Sequence, residues 1–358
     1  MYNVAIIGCG RISHKIAEGV AKNNDRMKLV VLCDPIEEKM FETEKTYNKK
    51  VEKENTILKY KDYKEILKEN KIDIAIISTE SGYHEEIGLY FLKNGVNLII
   101  EKPLAMSIEG AQKLVDTAKK NNLKLAASHQ NRFNYPIQLL KKAIKENRLG
   151  RIFNGMARIL WTRDDNYYLQ APWRGTWALD GGTLMNQCIH NIDLINWMMD
   201  DEIDTVYAQT SNYIRNIEAE DYGVILIRYK SGKIATIEGS AIIYPKNLEE
   251  TLTVTGEKGT VVIGGMAVNK INTWRVEGDN EQEYLSIDCG DPNSVYGYGH
   301  EALYKDFVDA LDENREPLVN GIAGLNAVKI ILAAYKSQKT GMAIKFDEFL
   351  KFSTVDMV

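Results

Sequence analysis

Short apolar runs punctuate the first third of the chain. Val4–Ile7, Leu29–Cys33, Ile74–Ser78, Val96–Ile100 and Leu123–Ala127 are four or five residues each and mostly aliphatic or β-branched. Continuous runs of this length suit strands buried on both faces of a parallel sheet. Between them lie polar segments with helical spacing, Glu37–Asn48, Tyr63–Glu69, Glu85–Lys93 and Ile108–Asn121. The alternation predicts a doubly wound α/β sheet.

Beyond about Gly150 the rhythm changes. Strand-like segments now follow one another: Ile152–Trp161, Asp204–Asn212, Tyr222–Tyr229, Lys233–Ala241, Thr251–Thr255, Thr260–Val262, Ile271–Val276 and Glu283–Ile287. Turn signals such as Lys230-Ser231-Gly232 and Gly256-Glu257-Lys258-Gly259 separate several of them. One helix, Thr183–Met199, interrupts the series, Pro136–Glu146 bridges into it, and Glu301–Glu313 and Ile322–Lys339 close the chain. The expected fold is an α/β Rossmann domain over residues 1–125. An α+β domain with a mostly antiparallel sheet follows over residues 126–358, its final helices able to pack back on the first domain.

The first turn carries the first chemistry. Val4-Ala5-Ile6-Ile7-Gly8-Cys9-Gly10-Arg11-Ile12-Ser13 reads as strand, glycine turn and helix start. Gly8 permits the tight turn, Gly10 lets backbone approach a pyrophosphate, and the helix beginning at Arg11-Ile12 offers free N–H groups to that anion. Ser13 stands where a third glycine is usual and still allows close packing. Asp34 ends the second strand, where a carboxylate can accept from both ribose hydroxyls. It would repel a 2′-phosphate, and Pro35 follows rather than a cation, so NAD is expected over NADP. The alternative for Asp34 is a turn cap before Pro35.

Composition narrows the class without changing it. The chain has 358 residues, 44% hydrophobic and 27% charged, enough for two domains. A net charge of −5 and no basic recognition helix argue against nucleic acid. No run approaches the roughly 20 apolar residues of a membrane span. The start runs straight into a strand without secretory-signal features, so a cytoplasmic location is expected. Cys9, Cys33, Cys188 and Cys289 are scattered, which suggests reduced thiols and no metal site.

Further candidates sit where strands end. Glu101-Lys102-Pro103-Leu104 places a Glu and a Lys at the ligand-binding edge of the sheet, and such a Lys can hydrogen-bond a reacting hydroxyl. Ser78-Thr79 and His84 follow the preceding strand and can line a cofactor. In the second half, Gly181-Gly182 enters a helix on which Asn186, His190 and Asp193 share a face, making His190 a candidate base beside a carboxylate. Residues 158–177 hold three Trp, two Tyr and three Arg. Aromatic faces stack on sugar or base rings and Arg forks grip carboxylate or phosphate.

The order Gly8-x-Gly10, Ser78-Thr79…His84, Glu101-Lys102-Pro103-Leu104 and Asn131-Arg132-Phe133 resembles the glucose–fructose oxidoreductase / inositol dehydrogenase / MocA family over nearly the whole chain. The resemblance implies an open-faced C-terminal sheet, often used for self-association, and hence a homo-oligomer, dimer or tetramer. It also implies Lys102 as the active-site lysine, with Glu101 and Lys102 near the nicotinamide and Gln130, Trp173 and Arg174 on the cofactor side. One position departs: inositol-dehydrogenase-like members carry Asp four residues before the His, where this chain has Asn186. The base is then His190, Lys102 or both together. Trp161-Thr162-Arg163, Tyr167-Tyr168, Trp173-Arg174-Gly175-Thr176-Trp177, Met185-Asn186-Gln187 and Tyr244-Pro245-Lys246-Asn247 resemble the UDP-N-acetyl-glucosaminuronate 3-dehydrogenases of bacterial surface-polysaccharide (O-antigen lipopolysaccharide) synthesis. That resemblance implies a UDP-sugar acid substrate held by Lys102, Arg163, Tyr168, Asn186, His190, Lys246 and Asn247. Tyr298-Gly299-His300-Glu301 is a further candidate border of the site. Two other readings are an inositol-dehydrogenase-like sugar or cyclitol dehydrogenase, and a cofactor-bound sensor without turnover.

Overall fold

Six parallel strands form the first sheet, in the order 3-2-1-4-5-6. The computed structural model describes residues 1–290, 297 and 299–358, which divide into two units. The first comprises Met1–His129 and His300–Leu325, the second Gln130–Gly299 and Asn326–Val358.

In the first unit the order is β1 (Tyr2–Ile7), α1 (Ser13–Lys22), β2 (Met27–Cys33), α2 (Glu37–Val51), β3 (Leu58–Tyr60), α3 (Tyr63–Glu69), β4 (Ile74–Ile77), α4 (His84–Lys93), β5 (Asn97–Ile100), α5 (Ile108–Lys120) and β6 (Leu125–Ala127). Val4–Ile7 and Ile74–Ile77 are buried throughout, each large aliphatic side chain stabilising the fold by about 1.5–3 kcal/mol. Because all strands run one way, their C-terminal ends share an edge. The ladder continues one residue past the strands: Ser78 N–H donates to Ile7, Glu101 to Ile77 and Ser128 to Ile100, at 2.7–2.9 Å. Gly8, Ser78, Glu101 and Ser128 are thereby brought to that edge. Strand β3, three residues at the sheet margin, carries too short a signal to be read in the sequence.

The second unit contains α6 (Tyr135–Lys145), β7 (Ile152–Leu160), α7 (Asp165–Leu169), α8 (Thr183–Asn186), α9 (Ile189–Met199), β8 (Ile203–Ser211), β9 (Tyr222–Tyr229), β10 (Ile234–Ser240), β11 (Glu249–Gly256), β12 (Gly259–Gly264), β13 (Lys270–Val276), α10 (Glu281–Leu285) and β14 (Ile344–Lys345). Helices α11 (Gly299–Asp312) and α12 (Gly321–Thr340) lie mostly in the first and second units respectively. The eight-stranded sheet runs β13-β12-β11-β7-β10-β9-β8-β14 and is antiparallel except between β10 and β7. Helix α9 packs against β7 at Gly155, where a Cβ would come within 2.4 Å of Ile195. The opposite side chains of the sheet alternate outward.

Two expectations need correction. Glu283–Ile287 is not a strand: residues 281–285 form α10, whose first turn is capped by Asn280 accepting from Gln282 N–H. Trp274 then stacks on Tyr284, centroids 4.2 Å apart. The helix expected over Thr183–Met199 is two, α8 and α9. The ladder breaks where Thr183 O accepts from both Gln187 and Cys188 N–H, and Cys188 packs toward Gly239, whose added Cβ would meet its sulfur at 2.5 Å.

Candidate active site

The glycine turn of the first unit is dictated by its surroundings. Gly8 has φ +92°, and a Cβ there would lie 2.5 Å from Ser78 O. Ser78 Oγ donates to Gly8 O at 2.7 Å, locking two strand ends together. Above Gly10 a Cβ would meet nothing within 4 Å, so the loop offers open backbone to a ligand. Arg11 is exposed and Ile12 half-buried at the entry to α1. Ser13 is fully buried and donates to Gly10 O at 2.8 Å, which explains why a small residue stands there.

Asp34 caps the turn, one of the two parts open to it in the sequence, and also ties down the glycine loop. Its Oδ1 accepts from Ile36 N–H at 2.9 Å, capping the turn around Pro35, and its Oδ2 accepts from Cys9 N–H at 2.8 Å. A carboxylate has about four lone-pair sites, so ribose hydroxyls can still be bound. The open glycine loop and the carboxylate beside it fit a dinucleotide without a 2′-phosphate.

Glu101 is buried, Lys102 half-buried. Burial raises the Glu101 carboxyl pKa, and the neighbouring Lys102 charge pulls it partly back. Its Oε1 has no hydrogen-bond partner. His84 is 1% exposed and braces the two loops: Nδ1 lies 2.8 Å from Pro103 O and Nε2 3.2 Å from Thr79 O. Burial lowers its pKa, and the two carbonyl contacts oppose that shift.

In the second unit the Arg–aromatic segment forms a stack centred on Tyr167. The Arg163 guanidinium lies 4.7 Å from the Trp161 ring and 5.3 Å from Tyr167. Arg174 lies 4.4 Å from Tyr167 and 4.8 Å from Trp173, and donates to Tyr167 Oη at 2.7 Å. Gln187 donates to the same oxygen at 3.2 Å. Two cations are thus pre-set on one ring. Tyr168 has a buried hydroxyl without a partner, Arg174 Nε is likewise unpaired, and so is Gln130 Oε1 on a residue 2% exposed. Asn247 Oδ1 accepts from Thr162 N–H at 2.9 Å, tying the Lys246–Asn247 loop to the residue before Arg163; Lys246 itself is exposed.

Asn186 and His190 lie half-buried at the α8–α9 junction. Asp193, expected as the carboxylate beside His190, is committed elsewhere: both its oxygens accept from Arg132, at 2.6 and 2.7 Å, in a buried fork. Asn186 instead donates to Asp180. Tyr298 lies outside the described residues, while His300 is buried, its pKa lowered by burial to about 4. Among the described residues, no three His, Cys, Asp or Glu side chains are grouped to hold a metal ion, and no helix is long and apolar enough to cross a membrane.

The sequence motifs single out neither Asp180 nor Glu220 nor Glu250, and they include Tyr167 only as part of the aromatic segment, without a role of its own. Glu220 accepts from Leu184 N–H at 2.8 Å and Tyr335 Oη at 3.1 Å; burial pushes its carboxyl from the ordinary 4.5 to about 8. Glu250 is also pushed by burial to about 8, with Arg163 among the groups opposing the shift. Its signal was present: in Glu249–Gly256 the inward positions read Glu250, Leu252, Val254, a carboxylate where an aliphatic belongs.

Comparison with known proteins adds independent findings. Residues 2–129 match the family model described as "Oxidoreductase family, NAD-binding Rossmann fold", and residues 141–346 that described as "Oxidoreductase family, C-terminal alpha/beta domain". The chain is similar to the WlbA dehydrogenase of Bordetella pertussis, solved with NADH and UDP-GlcNAcA: 32% identity, 96% of this chain and 98% of that one, TM-score 0.85. The WlbA dehydrogenase of Chromobacterium violaceum, solved with the same pair, gives 32% identity, 96% and 95% coverage and TM-score 0.85. Myo-inositol 2-dehydrogenase of Thermotoga maritima is 24% identical over 97% of this chain and 99% of its own.

Proposed function

The chain belongs to the glucose–fructose oxidoreductase / inositol dehydrogenase / MocA family of oxidoreductases and uses NAD, and on that premise we propose that it oxidises the C3 hydroxyl of UDP-N-acetyl-glucosaminuronate to the 3-keto sugar nucleotide. This is a cytoplasmic step in building bacterial surface polysaccharide. The observation that carries the reading is the likeness, over 96% of the chain, to two dehydrogenases solved with NADH and UDP-GlcNAcA. The Arg163 guanidinium, held against Trp161 and Tyr167, supports it, since it suits a substrate bearing a carboxylate and a diphosphate.

NAD⁺, when bound, would supply the hydride acceptor for this oxidation. Gly8, Gly10, Arg11 and Ile12 present backbone to the pyrophosphate, and Asp34 holds the ribose hydroxyls. Ser78, Thr79, His84, Glu101, Gln130, Trp173 and Arg174 line or brace the cofactor. Lys102 and His190 manage the hydroxyl proton, one donating a hydrogen bond and the other accepting the proton. Arg163, Tyr168, Lys246 and Asn247 hold the sugar acid and diphosphate, with Asn186 beside the reacting ring. Fixed cations offset the charge of substrate and alkoxide.

A second reading, an inositol-type cyclitol dehydrogenase, is favoured by the Thermotoga relative. Asn186, in place of the carboxylate of such members, weighs against it. NADH formation across UDP-N-acetyl-glucosaminuronate, UDP-glucuronate, myo-inositol and free glucose separates the readings. Turnover of the first is expected; turnover of myo-inositol alone would establish the second, and none at all the sensor.

We also infer a homo-oligomer joined through the outer sheet face. Neighbouring strands place Tyr207, Leu226, Thr236 and Met156 in one row, and Tyr207, Leu226 and Met156 are 38%, 43% and 45% exposed. An exposed apolar row of this kind suits a partner surface.

A further inference from the structure

Asp180 is 2% exposed and its carboxylate joins two functional segments of the second unit. One oxygen accepts from Asn186 Nδ2 and the other from Gly175 N–H at 2.8 Å. Its own N–H donates to Thr176 O at 3.1 Å, and Gly181 N–H reaches the same oxygen at 2.8 Å, so the loop closes around the carboxylate. Gly175 has φ +71°, and an added Cβ would lie 2.6 Å from Ile217, so the donor beside Arg174 can come this close only as glycine.

A carboxylate that accepts at both oxygens decides which way Asn186 is turned. The NH₂ faces Asp180, and the carbonyl Oδ1 points the other way as an acceptor. The backbone stays right-handed between Asn186 and His190: Gln187 has φ −84°, ψ −44° and Cys188 φ −87°, ψ −13°. The oriented amide therefore stands one turn before the imidazole.

We propose that Asp180 is a positioning residue for the oxidation. It fixes the Asn186 amide as an acceptor one turn before His190 and pins the backbone beside Arg174. The inference rests on the proposed function for the roles of His190 and Arg174. It gives a buried carboxylate two of the hydrogen bonds that offset its desolvation.

The test exchanges donor and acceptor. D180N puts an amide opposite Asn186, which then loses its imposed orientation, while the new amide oxygen can still accept from Gly175. The expected fall in kcat is roughly 10- to 100-fold, with KM changed far less and the acid limb of the pH–rate profile displaced. N186D alone sets two carboxylates in contact and also stays low. The exchange D180N/N186D restores one donor and one acceptor in reverse order and recovers most of kcat. Should D180N alone not fold, N186D against the exchange makes the same comparison.

An NMR titration of the His190 imidazole, read without substrate, is displaced by D180N and returned by the exchange. A packing role alone would lower Tm and leave both pH readouts unchanged. Failure of the wild type to oxidise the UDP-sugar acid would sink the proposed function but leave the imidazole titration to judge Asp180. Wild-type titration in D180N, or an exchange that recovers neither titration nor turnover, overturns the proposal.

Discussion

Lys102 and His190 carry the most specific expectations at the scale of single residues. K102A and H190N should each lower kcat by about 10²- to 10⁴-fold while NADH binding, followed by fluorescence, persists. Full turnover in both would remove them from the reaction. Glu220 and Glu250 yield a different prediction. Both are held near 8 when folded and near 4.5 when exposed, so the native state keeps protons that the unfolded chain releases. Stability from these protons is complete below about pH 4.5 and is lost as pH rises through about 8, on the order of 1 kcal/mol per pH unit per group. E250Q should therefore flatten the fall of Tm between about pH 5 and pH 8; an unchanged slope would mean that Glu250 is ionised in the fold. Legibility at this scale follows from locality. The placement of Gly8, Asp34 and Lys102 could be read because a strand end and its turn specify it. That of Tyr167 and Asp180 could not, because their partners Arg174, Gln187, Gly175 and Asn186 come together only through loop closure and packing.

Among elements, the parallel strands were legible because double burial writes them as unbroken aliphatic runs, as in Ile74–Ile77. The error at Glu283–Ile287 arose from reading a short window by β-character. Asn280, with Glu283 three residues on, was a helix-start signal in the same stretch, and the two side chains do meet at 3.2 Å. The break between α8 and α9 was not legible, since it answers to Gly239 on another strand. The turn after β1 supports a direct test. G8A forces a Cβ at φ +92° against Ser78 O, about 1–3 kcal/mol of strain. NAD⁺ affinity, measured by calorimetry, should fall roughly tenfold or more. Undiminished affinity would mean that the loop does not bind the pyrophosphate.

For the whole molecule, the outer sheet face and the reaction each lend themselves to a direct measurement. Leu226 and Met156 lie in one row across neighbouring strands, and Arg158 bridges Glu238 and Glu249 on nearby positions at 3.0 Å. L226E should shift the mass by light scattering from oligomer to monomer without lowering Tm by more than about 1 kcal/mol would. A wild-type chain that is already monomeric would contradict assembly through this face. The substrate is decided by a label. UDP-N-acetyl-glucosaminuronate bearing deuterium at C3 is incubated with NAD⁺ and the enzyme, and the reduced nicotinamide is examined by NMR. Deuterium at its C4, with the sugar nucleotide converted to the 3-keto form, is the predicted result; unlabelled NADH, or substrate returned with its label intact, would exclude oxidation at C3 of this sugar nucleotide.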